Sequence, residues 1–328
     1  MDHQQNMREA TARKRAAKPV AAEGESLSPP SATLPLITSA GWHDLAEEAY
    51  HADPCPQPSL SSHVAMTIIG KSLMHAWRVH PRSPLFEPSV MGTAADRGSA
   101  AHALLFGGKA IEEIVADDFR TAAAREARDK ARAAGRIPML SKDIEGLAAM
   151  TEPARQRFRD LHGGAYLCEQ TAVWRQSGLD GAGWRRARID TISTSRAMIV
   201  DYKTTEGAVD ALSCERRVAD MGLQIQAAAY VDAVENLHPE LMGRVKFIFQ
   251  WQEQKAPYAL SPPIEMSEAF LSLGRAQWKA ACHLWDKAQL HGAFPGYSAH
   301  PFLACPPPWE LSRWEERQLT DANLAEAF

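Results

Sequence analysis

The stretch Met198-Ile-Val-Asp-Tyr-Lys-Thr-Thr205 combines apolar and β-branched residues with an acid and a lysine two positions apart. Its composition predicts a buried β-strand, in which successive side chains point to opposite faces. Asp201 and Lys203 therefore share one face with Ile199. Burying a carboxylate and an ammonium on an apolar strand costs free energy, so a specific reason for their presence is expected. Two interpretations are open at this point: a metal-dependent site, or a structural ion pair at the rim of a sheet.

Composition limits the class of protein. The chain has 328 residues and is 45% hydrophobic, which is enough to bury a full core in one large domain or two modest ones. It lacks an uninterrupted apolar run of about 18 residues, so neither a transmembrane helix nor a membrane partner is predicted. The polar, charged N-terminus lacks the apolar centre of a signal peptide, which makes a cytoplasmic location the default expectation. With a net charge of −4, any nucleic-acid enzyme would need its basic groups gathered locally.

The cysteine pattern argues against a cysteine-bound metal. The five cysteines are widely spaced and contain no C-x-x-C pair: Cys55, Cys168, Cys214, Cys282 and Cys305. Neither a zinc ribbon nor an iron–sulfur cluster is expected from this spacing. Reduced thiols are the expected state.

The chain divides into a tail and a domain. Residues 1–58 are predicted to form a largely disordered N-terminal tail, because they are basic at the start, rich in proline later and weak in apolar periodicity. Residues 59–328 are predicted to form the folded domain. Its first half reads as helical, including a helix from about Ala94 to Phe106 that carries His102 and is rich in small residues.

The second half of the domain predicts a mixed sheet. Strands are predicted at Glu169–Gln176, Trp184–Ser193 and Ala197–Thr205, and their short connections make them an antiparallel meander. A helix at about Val218–Leu237 and a strand at Arg244–Trp251 follow. The predicted fold class is α/β, with the order helix, three-strand antiparallel meander, helix and strand, and with added N-terminal and C-terminal helices.

A second acid converges on the opening strand. If Thr194 and Ser195 form a two-residue hairpin loop, Asp190 lies opposite Ile199. Asp190 and Asp201 then become diagonal neighbours on one face, with β-carbons about 5–8 Å apart. Two carboxylates at that spacing can share Mg²⁺ or Mn²⁺, which prefer oxygen ligands. A one-residue slip would move Asp190 to the other face. The convergence favours a metal site over an ion pair, and phosphodiester hydrolysis is the chemistry that fits.

Two further groups of residues have open interpretations. Gln226 and Tyr230 are four residues apart on a predicted helix and share a face; taken alone, they are more typical of a packing helix. Arg120, Arg125 and Arg128 lie in the most basic stretch of the domain, which is predicted to be helical from Ile111 to about Gly135, and are candidate contacts to DNA phosphates. Acidic residues interleave with them, so a solvated helix face is an equally good interpretation.

Four motifs in order resemble the pattern of the PD-(D/E)XK nuclease superfamily, in its RecB-like and RecE-like branch, which contains exodeoxyribonuclease VIII and phage-type exonucleases. The motifs are Gly98-Ser-Ala-Ala-His102, Arg188-Ile-Asp190, Asp201-Tyr-Lys203 and Gln226-Ala-Ala-Ala-Tyr230. The resemblance begins near Leu60 and covers most of the chain after the tail. Ala187 departs from the pattern, since a glycine often precedes the arginine.

The resemblance implies a restriction-endonuclease-like core and a set of site residues. Lys203, Asp201 and Asp190 would be catalytic. The implied metal ligands are His102, Asp190, Asp201 and the backbone carbonyl of Tyr202. Glu169 is a candidate further ligand or a surface glutamate, and His102 is a ligand or a core histidine. The implied substrate contacts are Gln226, Tyr230 and Arg188.

The resemblance also implies a function. It indicates a Mg²⁺- or Mn²⁺-dependent exodeoxyribonuclease that resects linear double-stranded DNA ends for phage-type homologous recombination. A ring-shaped homo-oligomer and a single-strand annealing recombinase as partner are further expectations. The alternatives are a catalytically silent DNA-binding or assembly protein with a nuclease fold, and an unrelated metal-dependent hydrolase of small phosphates.

Overall fold

The computed structural model describes residues 36–87, 93–178 and 181–325. Its strands are β1 (Gly41–His43), β2 (Ile111–Ile114), β3 (Ile137–Leu140), β4 (Tyr166–Gly178), β5 (Gly181–Ser193), β6 (Met198–Thr205), β7 (Lys246–Glu253) and β8 (Ile264–Glu265). Its α-helices are α1 (Glu47–His51), α2 (Ser62–Gly70), α3 (Leu73–Arg78), α4 (Thr93–Phe106), α5 (Ala122–Ala133), α6 (Ser141–His162), α7 (Ala211–Asp220), α8 (Leu223–Leu237), α9 (Glu268–His291), α10 (Pro308–Thr320) and α11 (Ala322–Ala325). A short 3₁₀ turn spans Pro239–Leu241.

The described residues form a six-stranded sheet in the order β1-β4-β5-β6-β7-β8. β4, β5 and β6 are antiparallel neighbours, whereas β7 runs parallel to β6. A parallel neighbour requires a crossover connection, and α7 and α8 provide it. This arrangement confirms the predicted α/β fold, with its helix, three-strand meander, helix and strand. Within the described ranges, no helix has the length and apolar character needed to cross a bilayer.

The alternation along β6 sorts its side chains into two cores. Ile199 belongs to the cluster that also contains Phe247 and residues of α8 and α9. Val200 and Tyr202 belong to the opposite cluster, together with Phe158 of α6. Helices therefore cover both faces of the central strands, which explains why most of β6 and β7 is buried on both sides.

The hairpin between β5 and β6 differs from the predicted two-residue loop. Its loop comprises four residues, Thr194–Ala197, and the ladder pairs Thr191 with Val200 and Ile192 with Ile199. Thr-Ser lacks the residues that tight hairpin turns favour; Arg196 instead takes the left-handed conformation, at φ 63°. The register is therefore two residues away from the prediction. A shift of two residues keeps every side chain on its predicted face, so Asp190 and Asp201 still lie on the same face of the sheet.

The predicted domain boundary at residue 59 is too late. Residues 36–58 pack on the sheet: β1 pairs with β4, and Ile37 and Cys55 join a cluster with Val173 and Trp184. Only a few separate apolar residues of this segment pack on the sheet, and residues spaced in this way form no apolar periodicity in the sequence. Most of the predicted tail, residues 1–35, lies outside the described residues.

The basic stretch is also not one helix. Residues Ile111–Ile114 form β2, which pairs in parallel with β3, and the helix is confined to α5. Isoleucines at both ends of β2 favour the extended conformation, and Ile111 pairs directly with Ile137. The arginines of this stretch thus lie on a shorter surface helix and the loop before it.

A glycine on α9 allows the closest helix packing around the site. A Cβ at Gly274 would lie 2.1 Å from the carbonyl oxygen of Gln224 and 3.1 Å from the Cβ of Ala228, both on α8. We expect Gly274→Ala to reduce the free energy of unfolding by about 1–3 kcal/mol, because the two helices must separate. Urea denaturation measures the change.

A matched control for this prediction is Gly70→Ala, at the exposed last residue of α2, where an added Cβ would meet no heavy atom within 4 Å. This change should be neutral or slightly stabilising, because alanine favours helix. Equal unfolding midpoints for both variants would show that the α8–α9 contact tolerates a methyl group.

Candidate active site

Three carboxylates lie in a row across neighbouring strands. The β4–β5 pairing places Glu169 across from Asp190, and the β5–β6 pairing places Asp190 across from Asp201. Asp201 is thus a direct neighbour of Asp190 and not the diagonal one that was predicted. Glu169 has φ 52°, a conformation that costs a non-glycine residue about 1–3 kcal/mol and that concentrates at functional sites.

Helix α4 brings an imidazole onto this row. His102 Nε2 lies 3.3 Å from Asp190 Oδ1 and 3.4 Å from Glu169 Oε1. Among the residues that the structure describes, these three form a group whose potential ligand atoms all lie within 4.8 Å of one another. Asp201 is not a member of this group. Glu169, which the sequence left between ligand and surface residue, therefore lies inside the cluster.

The charged side chains of this group shift one another's pKa values. Burial would lower the pKa of His102, but the carboxylates of Asp190 and Glu169 raise it to about 9. Burial also acts to raise the pKa of Asp190, but His102, Lys203 and the N–H of Tyr202 together lower it. The imidazolium therefore acts as the counter-charge of the acids. A metal ion bound here would replace the imidazolium as the counter-charge, and His102 would have to lose its proton to serve as a ligand.

Asp201 has different partners. Its side chain is 1% exposed, Oδ2 lies 2.5 Å from Lys203 Nζ, and Oδ1 accepts a hydrogen bond of 2.8 Å from Gln226 Nε2. Burial raises the pKa of Asp201 to about 7 against the opposing charge of Lys203. Burial would lower the pKa of Lys203, but Asp201 and Asp190 raise it, so the ammonium form is retained. The Lys203 ammonium also lies 5.7 Å from the centre of the Phe249 ring.

Tyr202 contributes through its backbone in an unexpected way. The resemblance predicts that its backbone carbonyl is a metal ligand. In the structure its N–H donates a hydrogen bond of 2.9 Å to Oδ2 of Asp190, which is itself a predicted metal ligand. Its side chain points to the other face of the sheet. There the hydroxyl donates to Gln252 Oε1 over 2.6 Å. Asp190 is thus oriented by the strand that also carries Asp201.

Arg188 and Tyr230, two of the predicted substrate contacts, have partners within the protein. The Arg188 guanidinium donates to the Glu169 carboxylate and, over 2.8 Å, to the carbonyl of Leu45, so it orients Glu169. Tyr230 is 6% exposed and packs against Phe247. Contact of either residue with DNA stays a prediction.

The three candidate phosphate contacts lie at the surface. The Arg120 side chain is 91% exposed, and Arg125 is also exposed. Arg128 Nε donates to Asp129 Oδ1 over 2.8 Å, so part of its charge is offset by a neighbour on the same helix. This surface is compatible with both interpretations that the sequence left open.

Three glutamines outside the motifs lie on the face of the sheet that carries the Tyr202 side chain. Gln250 and Gln252 of β7, and Gln254 directly after it, alternate along the chain and face the α4 and α6 layer, where they are almost fully buried. Gln252 accepts from the Tyr202 hydroxyl and donates to the Met150 carbonyl over 2.8 Å. The spacing Gln-x-Gln-x-Gln in a β-prone run is the signal that could have identified them, since alternation places all three on one face.

The donor set fits a hard divalent cation. Glu169 Oε1 is buried and accepts no hydrogen bond from any residue that the structure describes, and a buried carboxylate oxygen without a donor is rarely left so in native proteins. Together with Asp190 and His102 it offers oxygen ligands and one imidazole nitrogen. Carboxylate oxygens suit Mg²⁺ and Mn²⁺, and the imidazole is compatible with Mn²⁺.

Gln226 should support this centre through Asp201. We expect Gln226→Ala to weaken Mn²⁺ binding about 10–100-fold, because residues that orient charged groups next to a metal have effects of that size. Calorimetric titration of the full chain with Mn²⁺ measures the affinity. Gln156→Ala is the matched control, since the described bonds of this exposed glutamine are to Arg159 and Asp160 on its own helix. An unchanged Mn²⁺ affinity in Gln226→Ala would show that the hydrogen bond from Gln226 to Asp201 does not contribute to metal binding.

Comparison with known proteins agrees with this geometry. The family model of the PD-(D/E)XK nuclease superfamily matches residues 73–296, a range that contains all four motifs. The crystal structure of a Eubacterium rectale protein described as a candidate exonuclease shares the fold, with a TM-score of 0.53 and 11% identity over 85% of this chain and 99% of that chain. No curated protein sequence matches significantly. Because the family match spans more than half of its length, the chain belongs to the PD-(D/E)XK nuclease superfamily.

Proposed function

We propose that this protein is a Mg²⁺- or Mn²⁺-dependent deoxyribonuclease, and specifically an exonuclease that resects the ends of linear double-stranded DNA. The observation that carries the proposal is the cluster of His102, Glu169 and Asp190 beside the Asp201–Lys203 pair. Hydrolysis of a phosphodiester needs a cation near the scissile phosphate and a positive group near the developing charge. This cluster offers places for both.

The residues divide the work in a definite way. His102, Glu169 and Asp190 would hold the cation, with Asp201 at their side. When bound, the cation supplies Lewis acidity at a phosphate oxygen and lowers the pKa of a water. Lys203 stays protonated beside Asp201, so it would orient the attacking water and offset negative charge at phosphorus. It would not act as the base that removes a proton.

One assay tests the proposed activity. The full chain is incubated with linear and with closed circular duplex DNA, in Mg²⁺, in Mn²⁺ and with chelator. We expect loss of the linear DNA only, and only with metal. Equal attack on the circles would contradict the exonuclease, and binding of DNA without cleavage would favour the catalytically silent alternative.

Lys203→Met is the matched variant for this assay. It removes the ammonium beside Asp201 and should abolish cleavage. Lys255→Met is its control, because that lysine is 66% exposed and pairs with the exposed Glu206 at the surface. Loss of cleavage in both variants would point to a general effect of lost positive charge and not to the site.

The basic surface gives a separate prediction about DNA binding. We expect the combined change of Arg120, Arg125 and Arg128 to glutamine to make the dependence of log K on log salt less steep, by about 2–3 in slope, because each phosphate contact contributes about 0.9. Fluorescence anisotropy with a labelled duplex across a salt series measures the slope. An unchanged slope would assign these arginines to a solvated helix face.

We also propose the biological setting that the motif order implies. The protein would work as a ring-shaped homo-oligomer around DNA and would deliver single-stranded tails to a single-strand annealing recombinase in phage-type recombination. A ring with basic groups on its inner surface would reconcile DNA binding with the net charge of −4, which gives the chain no global attraction to DNA. Light scattering coupled to size-exclusion chromatography tests the assembly, and a monomer at all concentrations would contradict the ring.

A further inference from the structure

Helix α4 approaches the end of β6 most closely at Gly98, one turn before His102. A Cβ on residue 98 would lie 2.7 Å from Thr204 Oγ1 and 3.3 Å from Gln254 Nε2. Non-bonded carbon and oxygen atoms rest near 3.5 Å or more, so a side chain at this position would push the helix outward. Only glycine is compatible with the observed depth of α4.

The opposing side chain is not free to yield. Thr204 Oγ1 accepts a hydrogen bond of 2.8 Å from Gln254 Nε2, and Gln254 is almost fully buried. Arg97, next to Gly98, donates from Nη1 to the carbonyl of Gln254 over 3.1 Å and from Nη2 to the carboxylate of Asp143 on α6. The first turns of α4 are therefore bound to the ends of β6 and β7 on both sides of the glycine contact.

This contact is linked to the metal group by helix geometry. Gly98 and His102 are four residues apart, so they face the sheet on the same side of α4. Relief of a 2.7 Å contact requires about 0.8 Å of movement, whereas metal–ligand distances tolerate about 0.2 Å. An outward shift at residue 98 would therefore carry His102 Nε2 away from its positions 3.3 Å from Asp190 and 3.4 Å from Glu169.

We propose that Gly98 is a positioning residue: its contact with Thr204 sets the depth of α4 and thereby holds His102 at ligand distance from Asp190 and Glu169. The inference rests on the proposed function only in that it takes the group to bind a divalent cation. It adds a specific steric partner, Thr204, which lies directly after Lys203 and outside the set of ligands.

The partner makes the proposal testable by rescue. The full chain is prepared as wild type, Gly98→Ala, Thr204→Ala and the double variant, and Mn²⁺ affinity is measured by calorimetry beside thermal unfolding without metal. Gly98→Ala should weaken Mn²⁺ binding about 10–100-fold. Adding Thr204→Ala removes the atom at 2.7 Å and leaves Gln254 Nε2 at 3.3 Å and the Thr204 Cβ at 4.0 Å, so the closest contact is relieved and the affinity should return towards that of Thr204→Ala alone.

A serine control separates the steric contact from other effects. Thr204→Ser keeps the hydroxyl that meets the added methyl group, so it should fail to rescue Gly98→Ala. If Gly98→Ala does not fold, recovery of folding and of Mn²⁺ binding with Thr204→Ala, but not with Thr204→Ser, gives the same answer.

The outcomes distinguish this inference from the proposed function. If Gly98→Ala binds Mn²⁺ as tightly as the wild type, or if Thr204→Ala does not rescue it, the positioning role is overturned. The nuclease proposal then still stands, provided that the wild type binds Mn²⁺ and cleaves DNA. Absence of Mn²⁺ binding in the wild type overturns both.

Discussion

Asp190→Asn is expected to reduce metal-dependent cleavage of linear duplex DNA about 10³-fold or more, equivalent to about 4 kcal/mol of transition-state stabilisation. Asp190 faces His102 with one oxygen and accepts the Tyr202 N–H with the other. Asparagine can still accept that N–H through its own carbonyl oxygen, so the strands stay in register. The negative charge that a cation and the His102 imidazolium both require is lost.

Single-turnover cleavage of an end-labelled linear duplex measures this effect, with Mn²⁺ titration as a second readout. Glu152→Gln is the matched control, because it makes the same acid-to-amide change on an exposed residue of α6 that pairs with Arg155. The control should cleave at the wild-type rate. Cleavage by Asp190→Asn within tenfold of wild type would remove Asp190 from the centre of the mechanism.

Asp53→Asn is expected to reduce the free energy of unfolding by about 3–5 kcal/mol at neutral pH, because it leaves a buried arginine without its counter-charge. Asp53 Oδ1 lies 3.1 Å from Arg186 Nη1, and both side chains are almost fully buried. Asp53 also accepts from the N–H and the hydroxyl of Ser59 and lies 3.3 Å from His80 Nε2. Asparagine tolerates the φ of 61° at this position, so the change tests the charge and not the backbone.

The same pair predicts a pH dependence of stability. Burial would raise the pKa of Asp53, but His80, Arg186 and Ser59 lower it to about 2. A carboxyl whose pKa is lower in the folded than in the unfolded chain stabilises the fold above the unfolded value of about 3.9 and loses that contribution as the pH falls towards 2. The difference in stability between wild type and Asp53→Asn should therefore be constant from neutral pH to about pH 5 and shrink below about pH 4.

Urea denaturation at a series of pH values measures both parts of this prediction. Glu265→Gln is the control, since its partner Lys246 lies 3.2 Å away and both side chains are more than half exposed. Such a surface pair contributes only about 0–1 kcal/mol. A loss of similar size in both variants would mean that the buried cluster is not an energetic anchor. Because Arg186 is on the strand that carries Asp190, the cluster also holds the site strand to the segment before residue 59.

Local patterns were sufficient for the order of the central strands and the helices between them, and for the pairing of Asp201 with Lys203. Alternation along Met198–Thr205 places Asp201 and Lys203 together, and helix spacing places Gln226 on one face with Tyr230, because both periodicities depend only on neighbouring residues. The hairpin between the second and third predicted strands added Asp190, and the motif order added His102. Their roles as ligands and catalysts remain predictions.

The register, the packing of residues 36–58 and the depth of α4 were decided only by the tertiary structure. The strand Met198–Thr205 holds its acid and lysine on one face in any register that differs by an even number of residues, so its sequence could place Asp190 on the correct face without placing it directly opposite. Loop conformation and burial depend on residues distant in the chain, such as Thr204 against Gly98 and Arg186 against Asp53. Packing contacts of this kind leave no periodic trace in a sequence, because each involves a single residue on either side.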